Sequence, residues 1–319
     1  MLRYALKRLL HLPPVLIGLT ALVFVLLRLA PGDAARLRLA ARGLDPGTET
    51  LAEARAALGL HRPVWEQYLL WLRDLGRLDF GLSVVTGKSA AAEYLAHLKA
   101  TAVLAFPALL LAGAIAFPAG VLSAMLKGGV FDRFCRAAAV LTLSIPSFCL
   151  GLFSILLFSV KLRWLPSFGS GSPRHLVLPV LTLALGSAAH YTRFIRSTLL
   201  EEFSKDYIRS GRARGLRPAA LVWGLALKNA SAPVLTSLGM SLALLLAGSA
   251  VVEKVFSWPG AGKYLIDSIL ARDYPVVQCA VILFACFFVG LNLIADLLCM
   301  LLDPQIRRAA RGRGSGCPA

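Results

Sequence analysis

An all-α integral membrane protein with six transmembrane helices is predicted by three observations. The chain of 319 residues is 57% hydrophobic and only 16% charged, where a soluble domain carries about a quarter charged residues. Its mean hydropathy is +0.71, and the apolar residues gather into runs of about 20, the length a helix needs to cross a hydrocarbon core. Lysine and arginine cluster at the ends of alternate runs, so both termini are expected in the cytoplasm.

The first expected span, residues 9–29, follows Arg3, Lys7 and Arg8, as a secretory signal would. Its apolar run is longer than the roughly 7–15 residues of a signal core, so a retained helix is expected. A long outside loop, 30–100, comes next. Spans two to four are expected at 101–126, 134–160 and 176–199. An inside loop at 200–231 separates them from spans five and six, at 232–256 and 275–302. Pro13, Pro14, Pro107 and Pro118 fall inside these runs, where neighbouring helices can satisfy the backbone groups that proline frees. Trp164, Trp223 and Trp258 fall near span ends and are expected as interfacial anchors.

The inside segments hold the bases Arg3, Lys7, Arg8, Lys127, Arg133, Arg136, then a run from Arg193 to Lys228, and Arg307 to Arg313. The two short outside connections hold only Lys161, Arg163, Arg174, Lys254, Lys263 and Arg272. The net charge of +17 is therefore topological, and nucleic acid is excluded as the partner it would otherwise suggest. The six cysteines form no C-x-x-C pair and sit mostly in apolar runs. They are expected to be reduced, mostly buried hydrophobes rather than a zinc site or disulfide framework.

The inside loop is the part of the chain that apolar patterning does not explain. Residues 206–235 read DYIRSGRARGLRPAALVWGLALKNASAPVL. Tyr207, Ile208, Leu216, Leu221, Val222, Leu225 and Leu227 alternate with bases, Pro218 suits the first turn of a helix, and Gly215 with Pro218 marks a turn. Two short amphipathic helices against the membrane surface are expected. Attraction to anionic lipid would need the charge but not Gly211 or Gly215. A close protein dock uses small residues.

These residues resemble the EAA-type coupling loop of ABC importer permeases. The match is closest to the dipeptide/oligopeptide/nickel branch, whose loop reads like DYxRTARAKGL…HALRNAxxPV. Asp206-Tyr207, Arg209, Arg212 to Leu216, Ala226 to Ala230 and Pro233 match, whereas Ser210-Gly211 and Gly224 depart. The first outside loop (58–89), VEKVFSWPGAGKYLIDSILARDYPVVQ (252–278) and NLIADLLCMLLDPQIR (292–307) resemble the same family in order.

The resemblance implies one permease subunit in a bacterial cytoplasmic (inner) membrane. It implies a second, related permease in a heterodimer, two ABC ATPase subunits or domains that use ATP and Mg, and an extracytoplasmic solute-binding protein. The coupling residues it implies are Asp206, Tyr207, Arg209, Gly211, Arg212, Arg214, Gly215 and Leu216. Transport would proceed by alternating access. The amphipathic VWEQYLLWLRDL at 64–75 would lie on the membrane or help dock the binding protein.

No engine is expected in the chain itself. Gly81-LSVVT-Gly87-Lys88-Ser89 has one residue too many between its glycines for a phosphate-binding loop and falls outside. The five histidines are scattered and no catalytic constellation emerges. His190, Asn292 and Asp296 are in-span polar residues and candidate pathway or gate positions, with Asn292 and Asp296 on one helix face. Cys149, His190, Met240 and Cys286 are the candidate soft metal ligands. Residues 164–179 and 271–279 resemble nickel permeases, so nickel, free or chelated, is the expected substrate, with di- or oligopeptides as the alternative. A stand-alone ion-coupled transporter is the rival of another class. It would need a midplane carboxylate and usually an internal repeat, and neither is evident.

Overall fold

The computed structural model describes residues 2–29, 35–36, 39, 48–57, 59, 61–231, 233–234, 237, 245 and 249–302. Among them the secondary structure is helical apart from one isolated antiparallel bridge between Leu82 and Ser89. The order is α1 (Leu2–Leu29), α2 (Thr48–Ala57), α3 (Val64–Leu75), α4 (Ala90–Met125), α5 (Val130–Ser144) and α6 (Ser147–Ser154). A π-helical stretch, Ile155–Lys161, prolongs α6. Then come α7 (Arg174–Ser204), α8 (Asp206–Ala213), α9 (Pro218–Ala220) prolonged by a π-helix at Leu221–Ala226, α10 (Ala250–Val255), α11 (Ala261–Leu270) and α12 (Tyr274–Leu302).

Ala90–Met125 and Tyr274–Ile294 are each long and apolar enough to cross a membrane, and Pro13–Leu29 is a shorter apolar helix. The expected third span is not one straight helix, because Val130–Ser144 and Ser147–Lys161 meet at 97°. Pro146 lacks an N–H and disfavours helical geometry in the residue before it. Ile145 is accordingly extended, with φ −93° and ψ 124°. The expected fourth span lies within α7, whose second half carries His190, Arg193 and Arg196. Most of the expected fifth span lies outside the described residues. Pro13, Pro14, Pro107, Pro118 and Pro179 all stay inside helices.

The chain forms two compact units. One is built on Ala102–Trp258 and includes the described residues from Gly290 onward. Its core joins Ala112 and Ala116 of α4 to Ala184, Ala188, Tyr191, Ile195 and Leu199 of α7, with Ile208 and Val222 beneath. Small residues let these helices approach closely. At Gly120 the approach leaves no room for a side chain: a Cβ there would lie 2.9 Å from the Ile195 Cβ and 3.1 Å from the Thr192 carbonyl oxygen. A second cluster gathers Leu104, Ile155, Leu178, Val252, Phe256 and Trp258. Trp258 is thus a core residue, not the interfacial anchor expected of it, whereas Trp164 and Trp223 are exposed.

The other unit comprises described residues of Leu6–Thr101 and Pro259–Val289. Here α3 packs on α1 through Tyr68 and Trp71, whose rings lie 5.3 and 6.1 Å from that of Phe24. The start of α4 packs on α11 and α12 through Ala90, Tyr94, Ala261, Val276 and Ala280. Buried Asp273 ties the 83–85 turn down. It accepts hydrogen bonds from the Ser83 hydroxyl and from the Val84 and Val85 amides. Tyr264 donates to Glu93 (2.8 Å) and stacks on His97. Among the described cysteines, all free, Cys279 alone is buried, whereas most were expected to be; Cys135, Cys149 and Cys286 are half-buried.

Candidate functional site

The 200–231 loop forms two short helices separated by a turn at Gly215, as the glycine and proline positions predict. Pro218 occupies the first turn of α9. Their apolar side packs on protein. Ile208, Leu221, Val222 and Ala226 are buried against the α4–α7 core, with Tyr207, Leu225 and Leu227 partly buried beside them. The apolar positions that set the expected amphipathic pair are thus taken up by the protein's own core.

A carboxylate fixes the hinge between α7 and α8. Glu202 is 6% exposed. It accepts a 2.7 Å hydrogen bond from the Lys205 Nζ and another from the Tyr207 hydroxyl. Glu202 holds the Lys205 ammonium above the ordinary lysine pKa. Burial, with Glu202 alongside, pushes the Tyr207 phenol up.

The two flagged glycines do different jobs. Gly211 is buried, and a Cβ there would meet Leu221 Cδ2 at 2.7 Å, so it permits the close approach of α8 to the helix after the turn. Gly215 has nothing within 4 Å of its would-be Cβ; it is required by its φ of +77°.

The predicted coupling residues therefore fall into two groups. Tyr207 and Gly211 anchor the loop. Asp206, Arg209, Arg212, Arg214, Gly215 and Leu216 are exposed and present it. Asp206 and Arg209 lie 3.6 Å apart with both side chains in solvent, a pair that contributes little to stability. Beside the exposed strip lies a cavity of about 690 Å³ lined by Met125, Lys127, Phe203, Arg212, Leu216 and Pro218, among others. It offers apolar walls and two cations.

Asp132 was not singled out by its sequence pattern. Its side chain is 1% exposed. It accepts two hydrogen bonds from Arg196, Nε at 2.6 Å and Nη2 at 2.9 Å. The Ser123 hydroxyl donates at 2.5 Å and the Gly128 amide at 2.9 Å. Arg136 Nε lies 3.7 Å away. The end of α4, the start of α5 and α7 are thus held at one point.

Of the other candidates, His190 is exposed on α7 and stacks on Phe194 with an interplanar angle of 6°. The Asn292 Oδ1 is buried and accepts no hydrogen bond among the described residues. Asp296 lies on α12 but its side chain is outside the described ones, and Met240 lies outside the described residues. His190 and Cys149 belong to the first unit and Cys286 to the second. Among the described residues no three His, Cys, Asp or Glu side chains gather as a metal site.

Residues 116–308 match the family described as binding-protein-dependent transport system inner membrane component, and residues 1–97 match the N-terminal part of such membrane components. The chain is 39% identical over 307 residues to a glutathione transport system permease protein of Shigella flexneri serotype 5b, covering 96% of this chain and 99% of the relative. It is 38% identical over the same length to the glutathione transport system permease protein of Escherichia coli strain K12. Among solved structures, an inward-facing methionine ABC transporter superposes with a TM-score of 0.56 at 20% identity, covering 66% of this chain and 95% of that one. At that identity the likeness speaks for the fold.

Proposed function

Because the chain belongs to the family of binding-protein-dependent transport system inner membrane components, we propose that it forms part of the import pathway for a peptide-type solute. It is a permease subunit of an ABC importer in the inner membrane and not an enzyme; ATP hydrolysis belongs to a separate subunit. Solute delivery belongs to a binding protein, as the family description states. The observation that carries the substrate class is the 38–39% identity, over nearly the whole chain, to permeases named for glutathione transport. Nickel, the substrate expected from residues 164–179 and 271–279, has no comparable support. His190, Cys149 and Cys286 belong to no group of three His, Cys, Asp or Glu side chains that could hold a metal among the described residues, and Met240 lies outside them.

In this reading the exposed strip from Arg212 to Arg217 is the surface an ATPase subunit grips. The cavity lined by Lys127 and Arg212 receives its side chains. The anchored residues Glu202, Tyr207 and Gly211 carry the resulting movement into α7. A second, related permease completes the pathway. The permease pair alternates between outward and inward access, and solute-loaded binding protein and ATP shift that equilibrium only through their different affinities for the two states.

The test is uptake in cells carrying the complete transporter. Labelled glutathione and a labelled dipeptide are compared with labelled nickel, supplied with and without histidine. Accumulation of either peptide above the level of cells lacking the permease is expected. Nickel accumulation without peptide uptake would restore the metal reading.

A further inference from the structure

Helix α7 has two opposed faces in its second half. Ala184, Ala188, Tyr191, Ile195 and Leu199 are buried in the core. His190, Arg193 and Ser197, at helical spacing on the other side, are exposed. An arginine on a lipid-facing side of a spanning helix is costly, and such residues normally face water or protein.

That exposed face walls a cavity of about 450 Å³ lined by Arg136, His190, Arg193, Phe194, Arg196 and Ser197. The lining holds three guanidiniums and an imidazole, and no carboxylate. Asp132, behind Arg196, is turned away from solvent and committed to Arg196 through two hydrogen bonds. Arg136 shares Asp132 only at 3.7 Å and is 52% exposed. No acidic partner of Arg193 occurs among the described residues. The cavity is therefore net positive. A bare divalent cation would be repelled, and a guanidinium pair suits a carboxylate.

We propose that this cavity binds a carboxylate group of the transported solute, with Arg193 and Arg136 as its ligands. His190, its ring held against Phe194, adds a hydrogen-bonding edge. Arg196 is a positioning residue, because Asp132 occupies its fork. The site takes small anionic molecules such as a peptide with free carboxylates. It rests on the transport function proposed above and adds a recognition step within the permease itself.

The experiment uses the complete transporter in vesicles of phosphatidylcholine, with and without phosphatidylglycerol. Modification of Arg193 by phenylglyoxal is followed by mass spectrometry, and uptake of labelled glutathione is measured alongside. Glutathione is expected to slow modification of Arg193 in both lipids, and its dimethyl ester is not. Arg193→Gln, an exposed substitution, is expected to lower glutathione uptake about tenfold, the loss of a charge-assisted hydrogen bond, and Arg193→Lys to recover part of it. Protection that requires phosphatidylglycerol and not glutathione would assign the cavity to lipid phosphate and overturn the proposal. So would full glutathione uptake by Arg193→Gln. Absence of uptake by the unsubstituted transporter of both glutathione and a dipeptide would instead overturn the transport reading.

Discussion

Asp132 and Glu202 are buried carboxylates, each satisfied by a cation and a hydroxyl. Removing one partner of such a pair leaves an uncompensated charge, at a cost of about 3–5 kcal/mol. Arg196→Ala is therefore expected to lower the thermal stability of the purified transporter markedly, while Asp132→Leu combined with Arg196→Met recovers most of it. Melting curves for the single and double variants check this; equal melting of Arg196→Ala and the unsubstituted protein would show the pair to be dispensable. Nothing local in the sequence joins these two residues, which lie 64 positions apart. Gly215 was legible as a turn, which its φ of +77° bears out, whereas the close contact also expected of it falls to Gly211. Alanine there costs about 1–2 kcal/mol of left-handed strain, and Gly215→Glu also adds a charge to the exposed strip. Gly215→Glu is expected to suppress most solute-stimulated ATP hydrolysis in the complete complex while leaving the chain in the membrane. Normal stimulation at normal abundance would remove the strip from coupling.

Helices were legible where apolar runs are long and uninterrupted. The expected spans 101–126 and 275–302 closely follow the apolar parts of α4 and α12. The break at Pro146 was not anticipated, because four other prolines in apolar runs were expected to leave their helices intact, and they do. What separates Pro146 is the extended Ile145 before it. The packing of α4 on α7 depends on contacts that no run reveals. Gly120→Val is expected to force these helices apart and reduce both stability and uptake, since its Cβ would collide with the Ile195 Cβ at 2.9 Å. Gly113→Ala, on the same helix with nothing within 4 Å, is expected to be neutral. Melting temperature and uptake of the two variants, measured side by side, test the contact; equal behaviour would place the α4–α7 closeness elsewhere.

For the whole molecule, family and membrane residence were legible, because four motifs recur in order along an apolar chain. The solute was not, because a permease contacts it through few residues and no spacing marks them. Orientation rests on the basic residues of the connections. Ser172→Cys, in a chain whose other cysteines are replaced, is expected to react with an impermeant thiol reagent added to whole cells with a permeable outer membrane, and Cys317 alone is not. The opposite pattern would invert the chain. The 97° bend has a further consequence, for the order in which the protein is made. Residues 134–160 are apolar enough to leave the translocation machinery as one straight segment. Each folded half is at most about 22 Å long at 1.5 Å per residue, too short for a hydrocarbon core of about 30 Å. The segment is thus expected to enter the lipid straight and to break only once protein surrounds the freed peptide groups at Ile145 and Pro146. A chain synthesised without its partner subunits would be held before that step and cleared by membrane proteases. In a pulse–chase experiment its half-life is expected to lengthen when the partners are co-expressed, and more so for the natural chain than for Pro146→Ala.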